Sequence, residues 1–163
     1  VGVLVQTNFG GVLQIDGVPI GEALHQYFMD DAGKDKGDGS CMMVVATDAP
    51  LDARSLERLA KRAFMGLAKT GGIASNGSGD YVIAFSTDPG LRIPFTPENK
   101  TQSARLLNND EIDPLFLAAI EATEEAIINS LFMAETMEGK DGRVIRSLPV
   151  DQVLDIMKKH NAR

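Results

Sequence analysis

An α/β fold is predicted by three features of the 163-residue sequence. Two short runs, Cys41–Thr47 ("CMMVVAT") and Tyr81–Phe85 ("YVIAF"), are continuously apolar, as expected of strands covered on both faces. Between them, and again after position 113, apolar residues recur every three or four positions, the period of an amphipathic helix. The length suits one domain with a substantial core. Sheets with helices on their outer faces would bury such a pattern.

Taken in chain order, "VGVLVQTNFGGVLQIDG" reads as two β-branched runs, Val1–Gln6 and Val12–Ile15. Asn8-Phe9-Gly10-Gly11 would join them as a hairpin, with a second turn at Asp16-Gly17. "GEALHQYFMDD" predicts a short helix, and the Gly/Asp/Lys stretch 30–39 a linker. After the strand at 41–47, Asp52 is a suitable cap for a helix carrying Leu56, Leu59, Ala60, Ala63, Phe64, Leu67 and Ala68, ended by Gly71-Gly72. A Gly/Ser/Asn loop over 70–80 leads into the strand at 81–87, and the stretch from Pro89 to Asn109 has no clear period. Asp113 as cap and Pro114 at the first helical position open a long helix to about Met137, finished by Glu138-Gly139. "GRVIRSLP" suggests a short strand. Val150–Lys159 suggests a last helix with Val153, Leu154 and Met157 inward.

Charge and composition exclude some classes. Acidic residues outnumber basic ones by 23 to 16, and the formal charge of −7 argues against a nucleic-acid partner, which would need a basic patch. Its sign suits an amine-bearing ligand. A single cysteine, Cys41, rules out an intrachain disulfide and a cysteine-based metal site, and a reducing, cytoplasmic compartment is the expectation. No apolar run reaches membrane-spanning length and no signal-peptide pattern opens the chain, so no membrane partner is expected. The chain begins at Val1, already in a strand pattern, which predicts an upstream part in a longer protein. His25 and His160 lie far apart with no third partner at a ligand spacing, and no metal or cofactor is expected. "GLAKTGG" follows a helix instead of joining a strand to one, so a phosphate loop lacks its context.

Three short stretches could carry chemistry. At Gly39-Ser40, a serine hydroxyl could attack the carbonyl before it, given the conformational freedom of glycine. The cut would leave Ser40 with a nucleophilic hydroxyl and a free α-amine of ordinary pKa about 7.7–8.0, able to take the hydroxyl proton. In "NGSGD", Ser78 and Asp80 are two apart and face one side if the chain is extended, so a hydroxyl and a carboxylate could relay a proton. The Asn8 amide could donate to a developing oxyanion. Each stretch is also ordinary turn chemistry, and taken singly the turn is the commoner reading.

The order of these stretches resembles a known family. "VGVLVQTNFG", "GSCMMVVATDAPL", "RLAKRAFMGLAKTGG", "NGSGDYVIAFST" and "EEAIINSLFMAETMEGKDG" follow the wording of the C-terminal half of the L-aminopeptidase/D-esterase/amidase family, which includes the β-peptidyl aminopeptidases. The likeness runs from Val1 to about Lys159. It implies a four-layer αββα sandwich similar to N-terminal-nucleophile hydrolases but differently connected, of which this chain is a partial domain. It also implies self-cleavage at Gly39–Ser40, with residues 1–39 ending an α chain and 40–163 forming a β chain. By position, Ser40 matches the nucleophile, Asn8 the oxyanion donor, and Ser78 and Asp80 the serine–acid pair; some relatives carry Glu at the position of Asp80.

The implied activity is a serine aminopeptidase or amidase acting through an acyl-enzyme on short peptides, amides or esters with a free amine. The implied assembly is a homo-oligomer. Members are about twice this length, and the acidic residue that holds the substrate amine lies in their N-terminal part, so that segment is an expected partner and this piece alone is expected to be inactive. Two other readings stand beside this one. The first is an acyltransferase of the ornithine acetyltransferase type, whose members cut before threonine. The second is a non-catalytic α/β binding domain in which Asn8, Ser78 and Asp80 do not meet Ser40.

Overall fold

The computed structural model describes residues 1–28, 39–96 and 99–161. Its centre is a three-stranded sheet in the order β1-β2-β3, formed by β1 (Gly2–Asn8), β2 (Ser40–Thr47) and β3 (Tyr81–Ser86). β1 and β2 are antiparallel, with Val5 opposite Met43 and Asn8 opposite Ser40. β2 and β3 are parallel, with Met42 opposite Tyr81 and Thr47 opposite Ser86. The helix α2 (Ala53–Lys69) makes the crossover between β2 and β3 that a parallel pair requires. Before it in the chain lies the single-turn helix α1 (Ile20–Ala23). The predicted linker at 30–39 falls outside the described residues except for Gly39.

One face of the sheet is covered. Cys41, Met43 and Val45 of β2 are buried beneath Leu59, Ala63 and Leu67 of α2 and beneath Phe116, Ala119 and Ile127 of the helix α3 (Asp113–Phe132). Val3, Val5, Val82 and Ala84 pack against the same cluster. The opposite face differs from the sequence expectation of strands buried on both sides: Leu4 is 72 % exposed, Tyr81 63 % and Ile83 55 %. Because side chains alternate along a strand, Asn8 and Ser40 lie on this open face. Among the described residues this central sheet therefore carries helices on one face and leaves the other open.

The predicted first hairpin does not form. β1 takes β2 as its partner, while the amides of Val12 and Gln14 donate to the carbonyls of Gly71 and Thr70 at the end of α2. This approach leaves no room for side chains: a Cβ on Gly11 would collide with the Gly71 carbonyl. The turn at Asp16-Gly17 does form. Both residues have positive φ, and Ile15 and Val18 exchange backbone hydrogen bonds across it.

The helix caps divide. Asp52 accepts from the Ser55 amide at 2.8 Å and starts α2 as expected. Asp113 is instead the first helical residue of α3, behind Ile112, and α3 ends at Phe132, short of Met137. The remaining residues form a small hairpin, β4 (Met137–Glu138) against β5 (Val144–Ile145), turning through Asp141 and Gly142, both at positive φ. The expected helix stop, Glu138-Gly139, is instead the end of β4 and the entry to this turn. In α4 (Val150–Asn161), Val153 is buried and Ile156 and Met157 pack beside it, whereas Leu154 faces out.

α2 and α3 approach closely at Gly66. A Cβ there would lie 2.6 Å from the Ile120 carbonyl oxygen and 2.7 Å from Thr123 Cβ, both on α3. Arg62 stacks on the Phe116 ring 3.8 Å from its centroid, and Lys69 pairs with Glu124, so the two helices are tied together on either side of Gly66. Gly66→Ala is expected to force the helices apart and cost about 1–3 kcal/mol, as overpacking typically does. Urea unfolding of the protein checks this, and a midpoint equal to wild type would contradict the close approach.

Candidate functional site

The open end of the sheet, where β1 finishes and β2 begins, gathers the residues singled out from sequence. The antiparallel register sets Asn8 directly across from Ser40. Opposed residues of such a pair project to the same face with Cβ atoms about 4.5–5.5 Å apart. Asn8 and Ser40 are therefore neighbours on the open face, with Ser40 half-buried and Asn8 exposed.

The loop before β3 reaches the same place from the other side. The parallel ladder starts at Met42 and Tyr81, so the Cys41 amide has no strand partner in β3. The carboxylate of Asp80 fills the gap: Oδ1 accepts from the Cys41 N–H at 2.8 Å. Its other oxygen, Oδ2, accepts from the Ser78 hydroxyl at 2.8 Å. The expectation that Ser78 and Asp80 face one side is met in geometry. Between them, the Gly79 N–H donates to Ser40 Oγ at 3.0 Å. Sequence reading passed over Gly79, although its place between Ser78 and Asp80 in "NGSGD" was visible.

Gly39 is confined by space: a Cβ would overlap the Asn8 carbonyl oxygen and lie 2.7 Å from Phe9 Cα. The segment entering Ser40 is thus pressed against the end of β1.

Chemically, Asp80 already serves two donors, and the Ser78 proton is committed to it. The Ser78 oxygen keeps lone pairs that can accept from a neighbouring amine or hydroxyl. The Ser40 oxygen receives a proton donor from Gly79 and still has its own proton to give. A cavity of about 510 Å³ opens at the end of β1, lined by Asn8, Phe9, Tyr27, Leu131 and Arg146 but not by Ser40, Ser78 or Asp80. Thr7 and Ser130 join across its floor at 2.8 Å; because the Ser130 hydroxyl donates to the Ile127 carbonyl, Thr7 is the donor.

His25 and His160 are both exposed and take no part in this cluster. Among the described residues no group of three or more His, Cys, Asp or Glu side chains is placed to hold a metal ion, and no helix is long and apolar enough to cross a membrane.

Comparison with known proteins gives a consistent picture. The profile described as peptidase family S58 matches residues 1–145. The β-peptidyl aminopeptidase BapA of Sphingosinicella microcystinivorans is 40% identical over 173 residues, covering 98% of this chain and 43% of that protein. A crystal structure of a Pyrococcus horikoshii OT3 protein superposes with a TM-score of 0.84 at 45% identity, covering 98% of this chain and 42% of its own. The L-aminopeptidase D-Ala-esterase/amidase of Ochrobactrum anthropi, described as a prototype for the serine aminopeptidases and a variant of the Ntn hydrolase fold, gives 0.79 at 26% identity, over 98% of this chain and 48% of that one. This chain spans less than half the length of each.

Cys41, next to Ser40, points the other way, into the core, and is fully buried. Burial first, and the nearby Asp80 carboxylate second, push its thiol up from 9.0 to about 11. The neutral thiol is therefore held throughout the physiological range. Cys41 is expected to resist iodoacetamide at pH 8 in the folded protein and to react once the chain is unfolded, with mass spectrometry as the readout. The same shift has a sign for stability: nothing changes below pH 9, and stability falls between there and about 11, where only the unfolded chain releases the proton.

Proposed function

The chain belongs to peptidase family S58, and from that premise we propose that it carries the nucleophile-bearing half of a self-processing serine aminopeptidase. The observation that supports this most is the convergence at the start of β2. Asn8 lies across from Ser40, the Gly79 amide meets the Ser40 hydroxyl, and the Ser78–Asp80 pair is anchored on the next residue of the strand. A non-catalytic domain with three unrelated turns gives no reason for these residues to meet.

In the first step, Ser40 Oγ attacks the Gly39 carbonyl carbon. The bond from that carbon to the Ser40 nitrogen breaks, an ester forms on Oγ, and the hydroxyl proton ends on the released amine. Water then hydrolyses the ester. Gly39 leaves as a carboxylate, dividing the chain into 1–39 and 40–163, and Ser40 keeps its hydroxyl beside a free α-amine. The close packing of Gly39 on Asn8 and Phe9 holds the scissile carbonyl at the site in the uncut chain.

In turnover, the Ser40 α-amine takes the proton from Oγ as Oγ attacks the substrate carbonyl. The Asn8 amide donates to the oxyanion as charge develops. Ser78, with its own proton committed to Asp80, accepts from the α-amine and orients it. The leaving amine or alcohol collects the proton, and water releases the acyl group from Ser40. The substrates are short peptides, amides or esters with a free N-terminal amine, the class named for the β-peptidyl and L-aminopeptidase relatives. The carboxylate that would hold that amine belongs to the part of the protein outside this chain, and the active form is a homo-oligomer containing both parts.

Mass spectrometry of the full-length protein tests the first step. Wild type should split at Gly39–Ser40, and Ser40→Ala should stay whole; a wild-type chain that never splits would sink the mechanism. Asn8→Ala is expected to lower kcat by about 10²–10³, the usual cost of losing one oxyanion donor, with KM little changed. Steady-state hydrolysis of an amino-acid p-nitroanilide reads this out, and an unaltered kcat would remove Asn8 from its role.

A further inference from the structure

We propose that Gly79 is a positioning residue for Ser40: its backbone N–H selects the direction of the serine hydroxyl, and its missing side chain keeps that direction open. The proposal rests on the reading of Ser40 as nucleophile and adds to it. A serine side chain has three staggered positions for Oγ, and strand register alone does not choose among them. The Gly79 N–H, 3.0 Å from Ser40 Oγ, does choose.

The chemistry of the bond suits an attacking oxygen. An amide N–H only donates, so it occupies a lone pair of Oγ and leaves the hydroxyl proton for the base. It also strengthens as the oxygen gains negative charge. The Asp80 carboxylate is held by Cys41 N–H on one oxygen and Ser78 O–H on the other. The donor is held in place by the same two bonds, since Gly79 lies between the residues that make them.

The glycine itself has no conformational cause, because Gly79 is not among the positive-φ residues. Its surroundings explain it. A Cβ at this position would lie 3.3 Å from Ser40 Oγ and 3.4 Å from Cε2 of the Tyr81 ring. An added methyl would sit between the hydroxyl and the ring and crowd Oγ, which would have to give by a few tenths of an ångström.

The test uses the full-length protein with two changes at one position. Gly79→Ala keeps the N–H and adds the methyl. Glycolate in place of Gly79, introduced by nonsense suppression, removes the N–H and adds nothing. The reactivity of Ser40 is read as its labelling rate by a small sulfonyl fluoride, located by peptide mapping, with kcat, KM and the thermal midpoint measured alongside. Loss of one hydrogen bond to the reacting oxygen predicts labelling and kcat about tenfold lower in both proteins, with KM and the midpoint little changed. The precursor should split correspondingly more slowly. Both variants labelling and turning over within twofold of wild type would overturn the positioning role while leaving Ser40 as nucleophile. Should wild-type Ser40 take no label and Ser40→Ala keep its activity, the nucleophile reading itself fails, and this inference with it.

Discussion

The Asp80 carboxylate holds the site together because it completes a ladder that backbone alone leaves unfinished. Where β3 first pairs with β2, the parallel register begins at Met42, and the preceding amide, Cys41 N–H, has no partner in β3. A buried amide without an acceptor costs free energy comparable to a lost hydrogen bond. Asp80 Oδ1 supplies the acceptor at 2.8 Å. That bond holds the 78–80 loop on the start of β2, and the positions of Ser78 and Gly79 follow. Ser78 is oriented by the second carboxylate oxygen, and the amide between Ser78 and Asp80 is brought to the Ser40 hydroxyl. A requirement of sheet geometry thus assembles a cluster of chemical groups.

Alternation along β2 then separates two neighbours with opposite fates. Cys41 faces the helices and is sealed into the core with a thiol that stays neutral. Ser40, one residue earlier, faces the open side together with Asn8. β2 is held on one side because Cys41, Met43 and Val45 pack with Leu59 and Ala63 in the core. The first residue of a strand with one buried face combines a held backbone with an accessible side chain, which is what the role proposed for Ser40 needs.

Much of this was legible in the sequence wherever one periodicity dominated a segment. The apolar runs at 41–47 and 81–85 gave β2 and β3, and the 3.6-residue repeat with Asp52 gave α2. The reading failed where a choice depended on a distant partner. Val12–Ile15 has the composition of a strand, but its amides find the carbonyls at the end of α2, some sixty residues away, and the Gly11–Gly71 approach that permits this leaves no local mark. The Ala, Glu and Met residues after Phe132 favour helix, yet the Asp141-Gly142 turn draws Met137–Glu138 into a hairpin. Burial on both faces was inferred for β2 and β3 from apolarity alone. Composition records which surfaces avoid water, not whether the covering element lies in the same piece of chain.

The candidate site shows the same division. Asn8, Ser40, Ser78 and Asp80 were visible as residue types in order, while Gly79 was not, because what it contributes is an amide and an absence of side chain. The acid at position 80 is the shorter aspartate, not glutamate. In the structure the shorter side chain spans Cys41 N–H and Ser78 O–H at 2.8 Å each, so no extra methylene is needed. A glutamate here would have to fold back to keep both bonds, or move the loop outward and carry the Gly79 amide away from Ser40. The length of the acid and the position of the loop therefore belong together, and an exchange of one without the other is expected to disturb the Ser40 hydroxyl more than the sheet beneath it.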